Sequence, residues 1–167
     1  RVAAEKGLKV LLIDKRQELG APIQCSGALS ANALEECNIE PNKEFIQEDV
    51  FGFSVYNNEG DETVLDYRKL KSEKYGAELG KKPLGYVVDR RRFDRYLFTL
   101  AERVGVDIWL KTEGVNYKPL EDGTCEVYLR RLNKEITVRA KVLVGADGLQ
   151  SQVGKWSGLQ THIKMTE

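Results

Sequence analysis

The sequence predicts an α/β fold with α+β elements, and three observations carry that prediction. Residues 2–14 hold the end of a helix, a glycine stop and a nearly continuous apolar strand, which is the closing half of a βαβ unit. Residues 113–140 read as three successive strands joined by turn signals, a β-meander. Residues 142–148, Val-Leu-Val-Gly-Ala-Asp-Gly, put a glycine-rich turn after an apolar run, where α/β sheets place their ligands.

Each element follows from local chemistry. Val2-Ala3-Ala4-Glu5 is a last helical turn, with Gly7 as its stop. Leu8 to Asp14 is a strand whose apolar run suits burial on both faces of a parallel sheet. A domain rarely opens on half a helix, so the chain reads as an internal piece of a longer protein. Gly20-Ala21-Pro22 opens a loop that runs to Ser30, and Ser30 is placed to cap a short helix ending near Cys37. Phe51 to Tyr56 and Thr63 to Tyr67 form a hairpin around the polar turn 57–62. Leu70 to Lys82 is strongly charged and reads as an exposed excursion.

Tyr86 to Asp89 is a short strand. Arg91 to Val104 is an amphipathic helix with Phe93, Leu97, Leu100, Ala101 and Val104 on one face, ended by Gly105. Val106 to Leu110 is the next strand. The meander strands are Gly114 to Lys118, Thr124 to Arg131 and Glu135 to Val144, with Glu121-Asp122-Gly123 as a hairpin signal. The last of these is expected to run on through 142–144 into the main sheet. A tight turn at 145–151 then leads to a short helix through Trp156.

Composition excludes several functions. Among 167 residues, 26 Lys+Arg balance 26 Asp+Glu, which argues against nucleic-acid binding. No apolar run has the length of a transmembrane helix. Cys25, Cys37 and Cys125 are few and far apart, as in a cytoplasmic protein with reduced thiols. His162 is the single histidine, so a zinc site or a Ser-His-Asp triad lacks material and no metal site is expected. The chemistry of such a chain belongs to a cofactor.

Four places can carry that cofactor. Asp14 ends a buried strand, where an acidic residue of a dinucleotide-binding βαβ unit accepts hydrogen bonds from a ribose; a strand-ending Asp that merely starts a turn would look the same. Lys15 and Arg16 beside it read as solvent-facing. Asp147, between Gly145 and Gly148 and ahead of Ser151, can bind a cofactor hydroxyl or simply cap the next helix, whose amides can face a phosphate. Cys25 lies among small residues in the loop 22–30, where Gly27 and Ala28 let a flat ligand approach; a small buried filler is the plainer reading. With no histidine near it in sequence, Cys25 does not read as a protease nucleophile. Arg90 follows the strand from Tyr86 and can reach a pyrophosphate or a flavin edge.

Together these residues resemble the FAD-dependent geranylgeranyl reductases of archaea, in the p-hydroxybenzoate hydroxylase-like flavoprotein superfamily. The resemblance rests on Leu8 to Arg16, on the loop Gly20 to Ser30 with its G-x-P-x-x-C pattern, on Gly85-Tyr-Val-Val-Asp-Arg-Arg-Arg-Phe-Asp94, and on Lys141 to Leu159 with A-D-G-x-x-S and G-K-W-S-G-L. It implies a partial Rossmann-like FAD-binding domain over 1–167, a hairpin insertion at 49–70 on the substrate side, and the meander at 113–140. It implies FAD contacts from Asp14, Cys25, Ser26, Ala28, Arg90, Gly114 and Asp147, with Cys25 near the isoalloxazine as the catalytic candidate. Many members carry an acidic residue where Gly27 stands.

The family's G-x-G-x-x-G strand would precede Arg1, and its G-D-A motif and most of the prenyl-binding domain would follow Glu167. The implied activity is reduction of geranylgeranyl double bonds in membrane-lipid synthesis. The implied partners are a prenylated lipid met peripherally at a membrane and a donor such as NAD(P)H, ferredoxin or F420. A flavin monooxygenase of the same superfamily and a non-catalytic binding module are the alternatives.

Overall fold

The computed structural model describes residues 1–23, 25–69 and 81–159. Two compact units emerge, one of Arg1 with Leu19–Val104 and one of Val2–Glu18 with Gly105–Glu167. Most of the charged stretch 70–82, and His162, lie outside the described residues.

The first unit is built on an antiparallel sheet. Strands β2 (Ala28–Ser30) and β3 (Ile46–Val50) flank β6 (Gly85–Val88), giving the order β2-β6-β3. Helix α2 (Ala31–Glu36) contributes Leu34 and helix α3 (Arg90–Arg103) contributes Phe93 to a core completed by Ile39, Phe45, Tyr86 and Val88. Leu97 and Leu100 of α3 pack against that core, as their spacing predicts. Asp89 caps α3 by accepting the N–H groups of Arg91 and Arg92. Ser30 stands at the N-cap of α2 as expected, but its hydroxyl makes no capping bond; its backbone is extended and paired with β6.

Strand β3 was not expected from the sequence. Its centre, Gln47-Glu48-Asp49, is polar and exposed, and a register shift falls between Ile46 and Glu48. Pairing with β6, not propensity, makes it a strand. The hairpin is present as β4 (Gly52–Tyr56) and β5 (Glu62–Asp66), a two-stranded sheet with Phe53 opposite Leu65 and Tyr56 opposite Glu62. Asn57 closes its turn by accepting the N–H groups of Glu59 and Asp61.

In the second unit α1 (Val2–Glu5) ends as predicted, with Gly7 left-handed at φ 81°. Strand β1 is shorter than expected, Leu11–Ile13, and pairs in parallel with β7 (Asp107–Trp109). Leu8 is exposed and β1 only half-buried, because β7 is its single partner among the described residues.

The meander has β8 (Thr112–Pro119), β9 (Cys125–Arg131) and β10 (Lys134–Ala140) in the order β10-β9-β8. Cys125, Val127 and Leu129 alternate inward from β9 and pack with Leu11, Ile13 and Trp109. Leu132 and Asn133 both take positive φ, the two-residue turn that fits strand twist. The expected continuation into 142–144 is corrected by the structure: β10 stops at Ala140, and Val142 and Val144 are each 76% exposed. No strand among the described residues pairs with that segment, so its backbone has nothing to extend against. Helix α4 (Gln152–Trp156) follows the turn, with Trp156 lying near Gly114 of β8.

Candidate functional site

In the second unit the structure fixes Asp14 by its backbone. Its N–H donates to the Trp109 carbonyl at 3.0 Å, and its own carbonyl accepts the Thr112 N–H at 3.0 Å. The parallel pairing of β1 and β7 thus delivers the carboxylate at a strand's carboxyl end. Arg16 is not simply solvent-facing. It folds back on the carboxylate, donating its backbone N–H at 2.8 Å and Nε at 3.0 Å to Oδ1, and Nη2 at 2.6 Å to Oδ2. Burial pushes the Asp14 carboxyl up. The Arg16 hydrogen bonds and charge, with Lys15, more than offset this and hold it below the usual carboxylate range. Asp14 is therefore an ionised acceptor whose neighbouring guanidinium is 45% exposed.

Gly114 lies on β8 opposite Leu129, just before a register shift. A Cβ there would meet the Trp156 ring at 3.7 Å and Ile13 Cδ1 at 3.8 Å, which is ordinary contact. Sterics alone do not demand glycine; its absence of a side chain leaves the backbone bare.

Asp147 is turned toward its own chain. Its carboxylate accepts the Ser151 hydroxyl and the N–H groups of Gln152 at 2.6 Å and Val153 at 3.1 Å. Ser151 Oγ accepts the Gly154 N–H at 2.9 Å. The amides of Gln152, Val153 and Gly154 at the start of α4 thus already have side-chain partners. The Ser151 hydroxyl is the foremost influence holding the Asp147 carboxyl below its ordinary value, and the two amides add to it.

In the first unit Cys25, Ser26, Ala28 and Arg90 gather around β6. The Gly27 carbonyl accepts the Val88 N–H at 2.9 Å, and Ala28 pairs with Val87. Gly27 has φ 86°, and a Cβ on it would fall 2.3 Å from the Val88 carbonyl oxygen. In this backbone no side chain fits at residue 27, whatever residue relatives place there.

Cys25 is exposed rather than a buried filler. Its Sγ accepts the Gly27 N–H at 3.4 Å. That bond, followed by the hydrogen bond and charge of Arg90, lowers the thiol below its ordinary value. Arg90 is itself anchored by Asp94, through Nη2 at 3.0 Å and Nε at 3.3 Å. Arg90, expected at the flavin site from the sequence, also lies beside the Cys25 thiol, and its i, i+4 pair with Asp94 fixes it there.

A test follows directly. Alkylation of Cys25 by iodoacetamide, read at that residue by mass spectrometry across pH, is expected to reach its half-maximal rate below the pH usual for a protein thiol. Arg90→Ala is expected to move that midpoint upward. A midpoint indifferent to residue 90 would show that the guanidinium does not act on the thiol.

Among the described residues, no group of three His, Cys, Asp or Glu could hold a metal. No helix among them is long and apolar enough to cross a membrane.

Comparison with known proteins adds to this geometry. Residues 4–167 match the family described as FAD binding domain. The chain is 36% identical over 163 residues to a digeranylgeranylglycerophospholipid reductase of Thermoplasma volcanium, covering 98% of this chain and 39% of that protein. It is 34% identical over 167 residues to the protein of the same name from Methanocella arvoryzae, covering 100% of this chain and 40% of the relative. A solved structure of a geranylgeranyl bacteriochlorophyll reductase-like protein from Thermoplasma acidophilum superposes with TM-score 0.82 at 35% identity, over 96% of this chain and 38% of that one. The chain thus spans about two fifths of the length of the curated relatives it matches.

Proposed function

This chain belongs to the FAD-binding-domain family, and from that premise we propose that it is the flavin-holding part of an oxidoreductase that reduces isoprenoid double bonds of geranylgeranyl lipids. The observation that carries the proposal is the likeness, along nearly the whole chain, to reductases named for a digeranylgeranyl glycerophospholipid.

The residues present fit FAD. Asp14 is an ionised acceptor-only group at a parallel strand's end, suited to a pair of ribose hydroxyls. Gly114 offers bare backbone for the adenine side. In the first unit Cys25, Ser26 and Ala28 line the flavin side on a stretch where left-handed Gly27 keeps the chain free of bulk. Arg90 sets a positive charge beside that thiol. Asp147 acts by shaping the turn that presents the 145–151 backbone.

Bound FAD supplies the two-electron redox chemistry. Each reduced double bond needs a hydride equivalent and a proton. Cys25, its thiol biased toward ionisation by Gly27 and Arg90, is a group able to hold or release a proton. The β4–β5 hairpin, with Phe53, Val55 and Val64 each at least half exposed, supplies apolar surface on the substrate side. Contact with a lipid bilayer would be peripheral.

The deciding experiment incubates the full-length protein with FAD, dithionite and a digeranylgeranyl glycerophospholipid under anaerobic conditions, with mass spectrometry of the lipid. A gain of two hydrogens per reduced double bond is expected. An unchanged lipid anaerobically, with oxygen-dependent addition of one oxygen atom, would instead make the protein a monooxygenase.

A further inference from the structure

We propose that Arg131 is a positioning residue for Asp14, acting through the indole of Trp109. The inference rests on the assignment of Asp14 to the cofactor's ribose and adds a residue to that site. The guanidinium carbon of Arg131 lies 4.9 Å from the centre of the Trp109 ring, a cation–π stack. Its Nε is buried and has no hydrogen-bond partner among the described residues. A buried N–H left unpaired is costly, so the guanidinium is held there by the ring and not by hydrogen bonds at that atom.

The stack bears on Asp14 from both sides of its backbone. Trp109, whose ring Arg131 covers, accepts the Asp14 N–H. Thr112, whose N–H donates to the Asp14 carbonyl, is Arg131's register partner across β8 and β9. Thr112 is only 1% exposed, and its hydroxyl is spent on the Leu110 carbonyl at 3.0 Å, so it cannot shift alone. The link between Trp109 and Thr112 is tight: Lys111 is left-handed at φ 51°, and its N–H donates to the Arg16 carbonyl at 3.0 Å. Arg131 therefore ties the two residues that clamp Asp14 into one rigid corner. Releasing it lets Trp109 and the 110–111 turn relax, and the carboxylate loses its fixed position while keeping its charge.

The test uses the full-length protein and two flavins. FMN lacks the adenosine half of FAD, so it does not depend on a ribose contact at Asp14. Arg131→Met keeps the aliphatic stem and removes the cation; it is expected to weaken FAD about fivefold and leave FMN unchanged. Arg131→Lys, which keeps a cation over the indole, is expected to recover most of that loss. In an Asp14→Ala background, Arg131→Met is expected to add nothing.

Three results would overturn the proposal: equal loss for FMN and FAD, unchanged FAD affinity, or a full effect that persists without Asp14. If Asp14→Ala alone leaves FAD affinity intact, the ribose assignment fails along with it. If Asp14→Ala weakens FAD and Arg131→Met does not, only the positioning role fails.

Discussion

Replacing Phe45 by alanine is expected to cost about 3–5 kcal/mol of folding stability. Phe45 is 1% exposed, and its ring centre lies 5.0 Å from those of both Phe93 and Tyr96, at tilted angles that aromatic pairs favour. Alanine would empty the centre of the first unit's core and lose both ring contacts. Against a typical total stability of about 5–15 kcal/mol, that is a large fraction.

The effect would not stop at the core. The Phe45 carbonyl accepts the Asp89 N–H at 2.8 Å, and Asp89 caps the helix that begins at Arg90. Loosening Phe45 therefore also loosens the guanidinium that lowers the Cys25 thiol. Urea unfolding followed by near-ultraviolet circular dichroism measures the loss, and Phe45→Leu, closer in volume, should cost far less. A loss below about 1 kcal/mol for the alanine variant would show that the cluster is not the stabilising centre of this unit.

The second large effect concerns cofactor affinity. Asp14→Ala is expected to weaken FAD binding by the full-length protein about 10- to 100-fold, the range for one hydrogen bond to a charged group. Flavin fluorescence quenching reads it. Folding should be little affected, because the Asp14 backbone bonds to Trp109 and Thr112 do not involve its side chain. The side chain's own partner, Arg16, is part-exposed, where an ion pair contributes little to stability. Asp14→Asn should fall between the two, keeping one acceptor oxygen and losing the charge. An unchanged FAD affinity for Asp14→Ala would remove Asp14 from the ribose site and with it the main support for the flavin reading in the second unit.

Much of this was legible in the chain itself. The stop at Gly7, the hairpin around Asn57 to Asp61, the helix of Phe93, Leu97 and Leu100, and the two turns of the meander are all written in local sequence. Glycine conformations, turn chemistry and periodicity act over a few residues, so they can be read without the rest of the molecule.

Contacts between distant segments could not be read in this way. Strand β3 exists because β6 pairs with it, despite the charged residues at its centre. The segment 142–144 has the apolar composition of a buried strand and no strand partner among the described residues, so it stays open. Cys25 gains its acidity first from the Gly27 N–H and then from Arg90, 65 positions along the chain, and Asp14 its rigidity from Trp109 and Thr112. Sequence determined which groups this protein has to work with. The tertiary structure decided which of them meet, because hydrogen bonds and ion pairs act over a few ångströms in space and carry no record in the spacing of residues along the chain.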